Sequence, residues 1–223
     1  ESKVEQTKIL LLDSLNDDNL NNLATIAPIM KIYERRNAIT RLQQRLFAIK
    51  SSSELIDDVV AYIPGENVLV SGVTGYGRIG EEELKRLTRT DQRFTSYPQL
   101  DGGYLKLRAP FPNSRNRKPL FVVEVTLSKQ QLDKSLSYLI HSGQGEEAAL
   151  LRPHPDGNEA IAGANASSLV LSDVLTDLAE VEGRAFGDTG SKSIFAVYHT
   201  SEKLNMTLIK SVETNSVFGP VRT

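Results

Sequence analysis

Three glycines raise the first question of chemistry. Gly75, Gly77 and Gly80, in VLVSGVTGYGRIGEEELKRL, make a G-x-G-x-x-G pattern that follows an apolar stretch and precedes a run of helical spacing. In a nucleotide-binding βαβ unit such glycines bring backbone amides at a helix N-terminus against a pyrophosphate. That unit also needs a second apolar parallel strand and an acidic residue about 20 positions further on. Residues 88–103 read TRTDQRFTSYPQLDGG instead. The glycines are therefore expected to turn the chain or border a pocket, and no nicotinamide dinucleotide or other cofactor is assigned to them. No Tyr-x-x-x-Lys pair accompanies them to carry short-chain dehydrogenase chemistry.

Nucleophilic and metal chemistry find less support still. The chain has no cysteine, which removes thiolate ligands, disulfides and a cysteine nucleophile together. His141, His154 and His199 show no H-x-x-x-H spacing that would set two ligands on one helical face, and no metal is assigned. G-x-S-x-G, H-E-x-x-H and the P-loop are all missing from the sequence. Glu81, Glu82 and Glu83 read as the first turn of a helix, where negative charge suits the dipole. Asn165-Ala166-Ser167 and Asn205-Met206-Thr207 match the glycosylation sequon, a pattern short enough to arise by chance. The fragment is read as a non-enzyme without catalytic residues.

What remains is a set of groups suited to recognition. A small-molecule pocket needs an aromatic wall and a few convergent polar groups. Tyr62, Arg93, Tyr97, Asp101, Tyr104 and Arg108 supply both within one polar stretch and the strands beside it. The matching stretch of the second half, EGRAFGDTGSKS over 182–193, offers far less aromatic surface. Direct ligand recognition is therefore expected in the first half.

The elements that must position these groups are legible in outline. Ile9, Leu12, Leu15, Leu20, Leu23, Ile26 and Met30 recur mostly at steps of three and four, which predicts one amphipathic helix up to Pro28. Its length of about 26 residues would span about 39 Å. Pro28 should break or kink it, and Ile39, Leu42, Leu46 and Ile49 continue the helical spacing beyond. From Glu54 the period changes to two. Val59, Ala61 and Ile63, then Val68 and Val70 across Pro64-Gly65-Glu66-Asn67, predict a hairpin. Leu105, Leu107 and Ala109 alternate with Lys106 and Arg108, and Phe121, Val123 and Val125 with Val122, Glu124 and Thr126, predicting antiparallel strands with one face inward. Ser128-Lys129-Gln130-Gln131 is a capping box that opens a helix to about Ile140.

The plan then repeats. Leu150 and Leu151, the turn at Pro155-Asp156-Gly157-Asn158, and Ile161 mirror the first hairpin. A helix is expected over 169–182, and Ile194, Ala196 and Tyr198 with Met206 and Leu208 form a last hairpin about Ser201-Glu202-Lys203. The fold class is α+β with two antiparallel sheets. Residues 1–52 are assigned to a helical stalk, 53–142 and 143–215 to two modules, and 216–223 to an exit segment.

Composition agrees with two globular modules. The chain has 223 residues, 39% hydrophobic and 24% charged, enough for two cores and ordinary for a folded protein. With 26 basic and 28 acidic residues its net charge is -2, which offers no electrostatic reason to bind nucleic acid or an anionic membrane. No apolar run reaches the roughly 18 residues of a membrane span, and ESKVEQTK lacks the layout of a signal peptide. The start, without methionine and already within a helical pattern, is expected to be a cut from a longer chain.

In order and pattern, the long helix, IDDVVAYIPGENVLVSG, the pair LKLRAPFPNSRNRKPLFVVEV with its capped helix, and the shorter second module ending in SEKLNMTLIKSV resemble the double Cache sensing region of bacterial membrane receptors. Tyr33-Glu34-Arg35-Arg36 and DVVAYIPGENVLVS are most similar to sensor histidine kinases of Gram-positive bacteria. The resemblance implies PAS-like modules, the first membrane-distal and the second membrane-proximal. It also implies a location outside the cell or in the periplasm as part of a membrane protein, with homodimers formed through the N-terminal helix. A chemoreceptor or a membrane-anchored transcription regulator would carry a similar outer region. The amino-acid-binding version of the family has a motif of arginine, tryptophan, tyrosine and aspartate, and this chain has no tryptophan. The expected partner is a small molecule such as a sugar, or a solute-binding protein.

Overall fold

The computed structural model describes residues 2–88, 97–114, 117–141, 145–154, 157–165, 181–188 and 193–214. Arg93 and residues 169–180 of the expected second-module helix lie outside them. The chain divides into two compact units, Glu1–Ser128 and Lys129–Thr223. Each is α+β, and every strand pair described is antiparallel.

The first unit opens with helices α1 (Ser2–Ser14), α2 (Asp18–Thr25) and α3 (Ile32–Ser51). The single helix expected up to Pro28 is thus broken, and the break has a local cause. Asp17 accepts a hydrogen bond from the Leu20 amide at 2.9 Å and caps α2, and Asn21 Nδ2 donates to the Leu15 carbonyl at 3.1 Å. The polar run Asn16-Asp17-Asp18-Asn19 competes for backbone bonds that a continuous helix would need. Arg45 of α3 pins the break, 2.9 Å from Asp13 and 3.4 Å from Asp17. Pro28 falls in a one-turn 3-10 helix, Ala27–Ile29, which separates α2 from α3.

A six-stranded sheet follows, in the order β3-β2-β1-β6-β5-β4. Its strands are β1 (Ile56–Ile63), β2 (Val68–Ser71), β3 (Gly75–Arg78), β4 (Gln99–Asp101), β5 (Tyr104–Phe111) and β6 (Phe121–Leu127). Asn67, at φ 53°, closes the β1–β2 turn in the left-handed conformation that Asn tolerates. Helix α1 packs on β5 and β6, and α3 on β1, β2 and β3. Alternation sends Val59, Ala61, Ile63, Val123 and Val125, all fully or almost fully buried, to one face. Val60, Tyr62, Val122 and Glu124 go to the other. That second face is covered by α4 (Glu81–Leu87), whose Leu84 and Leu87 pack with Tyr62, Ile79, Val122, Val60 and Leu69.

The glycine motif has no nucleotide-cradle geometry. Gly75 and Gly77 lie in β3, antiparallel to β2, and Gly80 is the extended residue before α4. The next described strand, β4, pairs antiparallel with β5, so among the described residues the motif is not followed by a parallel crossover.

The second unit begins with α5 (Lys129–Ser137), directly after Ser128. Its sheet runs β8-β7-β11-β10-β9, built from β7 (Glu146–His154), β8 (Gly157–Ala164), β9 (Glu182–Asp188), β10 (Ser193–Ser201) and β11 (Met206–Glu213). Leu132, Leu136 and Ile140 pack on Ala148, Leu150, Ala162, Ala164 and Leu208, so the helix read as the end of the first module covers a sheet of the second unit. Ala149, Leu151, Ala196 and Ile209 form a separate core with Ala160, Ala185 and Tyr198. Glu182 opens β9, where the sequence suggested the end of a helix.

Candidate ligand-binding site

Cross-strand register gathers the site on one face of the first sheet. Tyr62 on β1 stands opposite Val122 on β6, Glu124 on β6 opposite Arg108 on β5, and Tyr104 on β5 opposite Asp101 on β4. Directly paired residues share a face, so Tyr62, Glu124, Lys106, Arg108, Tyr104 and Asp101 do so. Helix α4 adds Glu83 and Arg86 from above.

Six charged groups converge there. Asp101 Oδ2 meets Arg86 Nη1 at 3.0 Å, Lys106 Nζ at 3.4 Å and Arg108 Nη2 in closer contact. Glu124, 2% exposed, receives Lys106 Nζ at 3.1 Å on Oε1, and Arg108 Nε and Arg86 Nη2 on Oε2, the latter at 3.7 Å. Arg86 also donates through Nε to Glu83 at 2.8 Å. Among the described residues, three cations therefore meet three carboxylates. A carboxylate as deeply buried as Glu124 is tolerated only when paired this fully.

The charges tune one another. Burial works against ionised Asp101, but the Arg108 hydrogen bond and the charges of Arg108, Arg86 and Lys106 outweigh it and lower its pKa. Burial likewise opposes the Arg86 cation, and Glu83, Glu124 and Asp101 overcome it, raising its pKa. The Tyr62 hydroxyl is pushed well above its ordinary value, first by burial and then by the negative charges of Glu124 and Glu83. Tyr62 is accordingly a neutral hydroxyl at the apolar edge of a charged cluster.

Of the six residues picked from the sequence, the structure brings Tyr62, Asp101 and Arg108 together. Tyr104 heads β5 on the same face but is 48% exposed. Tyr97 is half-buried just before β4, and Arg93 falls outside the described residues. Sequence reasoning missed Arg86, Lys106, Glu83 and Glu124. The charged alternation Lys106, Arg108 and Glu124 was visible, but only Arg108 of it was picked as a site residue. Arrayed this way, the groups form an ion-pair cluster beside the Tyr62 ring. Among the described residues no three His, Cys, Asp or Glu side chains converge to hold a metal, and no helix is long and apolar enough to cross a membrane.

No protein-family model matches the chain, and no curated protein matches it. Solved structures do. The extracellular domain of rpHK1S-Z16, a protein assigned as a histidine kinase, aligns at a TM-score of 0.60 and 14% identity, over 98% of this chain and 97% of that one. The ligand-binding domain of the Pseudomonas fluorescens chemoreceptor CtaA, with L-alanine, aligns at 0.58 and 12% identity, over 98% and 92%. That of the Pseudomonas aeruginosa amino-acid chemoreceptor PctB, with L-arginine, aligns at 0.51 and 15% identity, over 96% and 92%. The chain has the fold of these sensor domains. The double Cache resemblance read from the sequence holds at the level of architecture: N-terminal helices, then two antiparallel sheets.

Proposed function

We propose that this chain is the extracellular ligand-sensing domain of a transmembrane signal-transduction receptor, a sensor histidine kinase, and that its ligand is a small polar molecule received on the charged face of the first sheet. One observation carries the reading: three cations and three carboxylates converge beside the buried ring of Tyr62 on a scaffold shared with ligand-binding domains. Groups of both signs suit molecules without net charge, and amino acids, the ligands of CtaA and PctB, therefore stand beside sugars as candidates. A chemoreceptor is the second reading of the parent protein, since chemoreceptor domains share the fold equally. Signalling then follows from population shift. A ligand that prefers one arrangement of the unit displaces a two-state equilibrium, and the terminal segments carry the difference to the membrane.

The test is a thermal-shift and calorimetric screen of amino acids and sugars, followed by Arg108→Ala and Tyr62→Phe. Binding lost or weakened in both variants supports the site. Binding untouched in them, but lost on changing Arg184 or Tyr198 of the second sheet, defeats it. If no small molecule binds, a solute-binding protein captured by pull-down becomes the partner to pursue. Sedimentation of a form extended through its membrane segments tests the homodimer expected from the N-terminal helix.

A further inference from the structure

Asp101 differs from the other carboxylates of the cluster. Glu124 is 2% exposed on a central strand, fixed by β1 on one side and β5 on the other. Asp101 is 37% exposed on β4, a three-residue strand that ends the sheet and, among the described residues, is bonded to β5 alone. Behind it come Gly102 and Gly103, at φ 59° and 82°, a turn that only residues tolerant of left-handed conformations enter easily. Yet one oxygen of this part-exposed residue touches Arg86, Lys106 and Arg108 at once. The same three cations also meet Glu124, so one cationic nest is shared by a buried carboxylate on a central strand and a part-exposed one on a short outer strand.

We propose that Asp101 is a resident competitor: its carboxylate occupies the place of a ligand carboxylate, and a ligand bearing one such group enters by displacing it. This rests on the reading of the face as the ligand site. With Asp101 withdrawn, Lys106 and Arg108 keep Glu124 and lose their second carboxylate, the place a monoanionic group takes. An uncharged sugar cannot make that exchange. No bond is made or broken in it; an internal ion pair is traded for a ligand ion pair, and Asp101 passes into water. The freed β4 strap is then the segment whose position differs between empty and occupied states. A competitor that fills the site nine-tenths of the time weakens apparent affinity by about tenfold.

The experiment uses Asp101→Asn and Asp101→Ala, checked for folding by far-UV circular dichroism, with acetate and formate as probes against chloride at constant ionic strength. Both variants should gain a saturable acetate-dependent rise in Tm, half-saturating at about tenfold lower concentration than wild type or below. Adding Arg108→Ala should abolish it. A response equal to that of wild type, or one that survives without Arg108, overturns the proposal. Should the variants fail to fold, the Asp101 carboxyl carbon of the wild type is followed by NMR during acetate titration, where a saturable shift supports displacement and none overturns it. A ligand mapped to this face whose affinity is unchanged by Asp101→Asn removes the competitor and leaves the proposed function standing.

Discussion

Gly72, at the end of β2, lies directly against the backbone of Leu46 in α3. A Cβ on Gly72 would stand 2.9 Å from the Leu46 carbonyl carbon and 2.9 Å from the Phe47 nitrogen. Helix backbone cannot turn aside as a side chain can, so Gly72→Ala must push α3 off the sheet. The expected loss is about 1–3 kcal/mol in urea unfolding. Gly77→Ala is the control, because its Cβ would meet only the Leu69 side chain at 3.5 Å. It should shift the midpoint far less, separating a packing glycine from one that merely belongs to the G-x-G-x-x-G pattern.

Removing Glu124 should be costly. Glu124→Ala deletes the buried carboxylate that Lys106, Arg108 and Arg86 share, and breaking such a pair from one side costs on the order of 3 kcal/mol. Glu124→Gln keeps the shape and loses less. A double-mutant cycle with Arg108→Ala should be strongly non-additive, and additivity would mean that the two residues are not coupled.

Acid should act on both units. The backbone amide of His141 and the Lys210 ammonium, 3.0 Å away, hold the Glu146 carboxyl down to about 2. A depressed pKa contributes stability that is full above the ordinary carboxylate value of 4.5 and lost as pH falls towards about 2. Asp101 is depressed too and works in the same direction. Calorimetric Tm should therefore fall over this window, and Glu146→Gln should lower Tm at neutral pH, where the ionised carboxylate contributes in full, and flatten part of the fall towards acid.

The α1–α2 break makes its own prediction. Asp17→Ala removes the cap on the Leu20 amide and the contact with Arg45, and should cost about 1 kcal/mol in thermal or denaturant unfolding. A rise in stability on this change would instead favour the continuous helix that apolar spacing alone suggested.

These cases show which parts of the fold were readable and why. The pair β5 and β6 was visible because Leu105, Leu107, Val123 and Val125 alternate with charges, a strictly local signal. Asp17 was missed because counting apolar steps passes over a capping residue that satisfies the same spacing. Burial of Glu124 was not legible, since alternation marks the charged face as solvent unless a third element covers it. That element, α4, reaches the face through Leu84 and Leu87, a tertiary fact. β9 was hidden for a similar reason. EGRAFGD carries two glycines, and Gly183 is strand-competent because the Tyr198 ring of β10 lies over it, its Oη only 2.5 Å from where a Cβ would be. Half of the candidate site was found because aromatic and charged residues cluster in sequence; Arg86 and Lys106 needed register and a packed helix to show their roles.

The lengths of the outermost strands carry a consequence for behaviour in solution. The first sheet ends on β3 and β4, of four and three residues, whereas the second ends on β8 and β9, of eight and seven. A strand border is a row of amides and carbonyls that recruits foreign strands in proportion to its length. Among the described strands, the first unit thereby offers foreign strands less edge to pair with than the second. When the two units are produced separately at high concentration, intermolecular β-pairing should begin with the second.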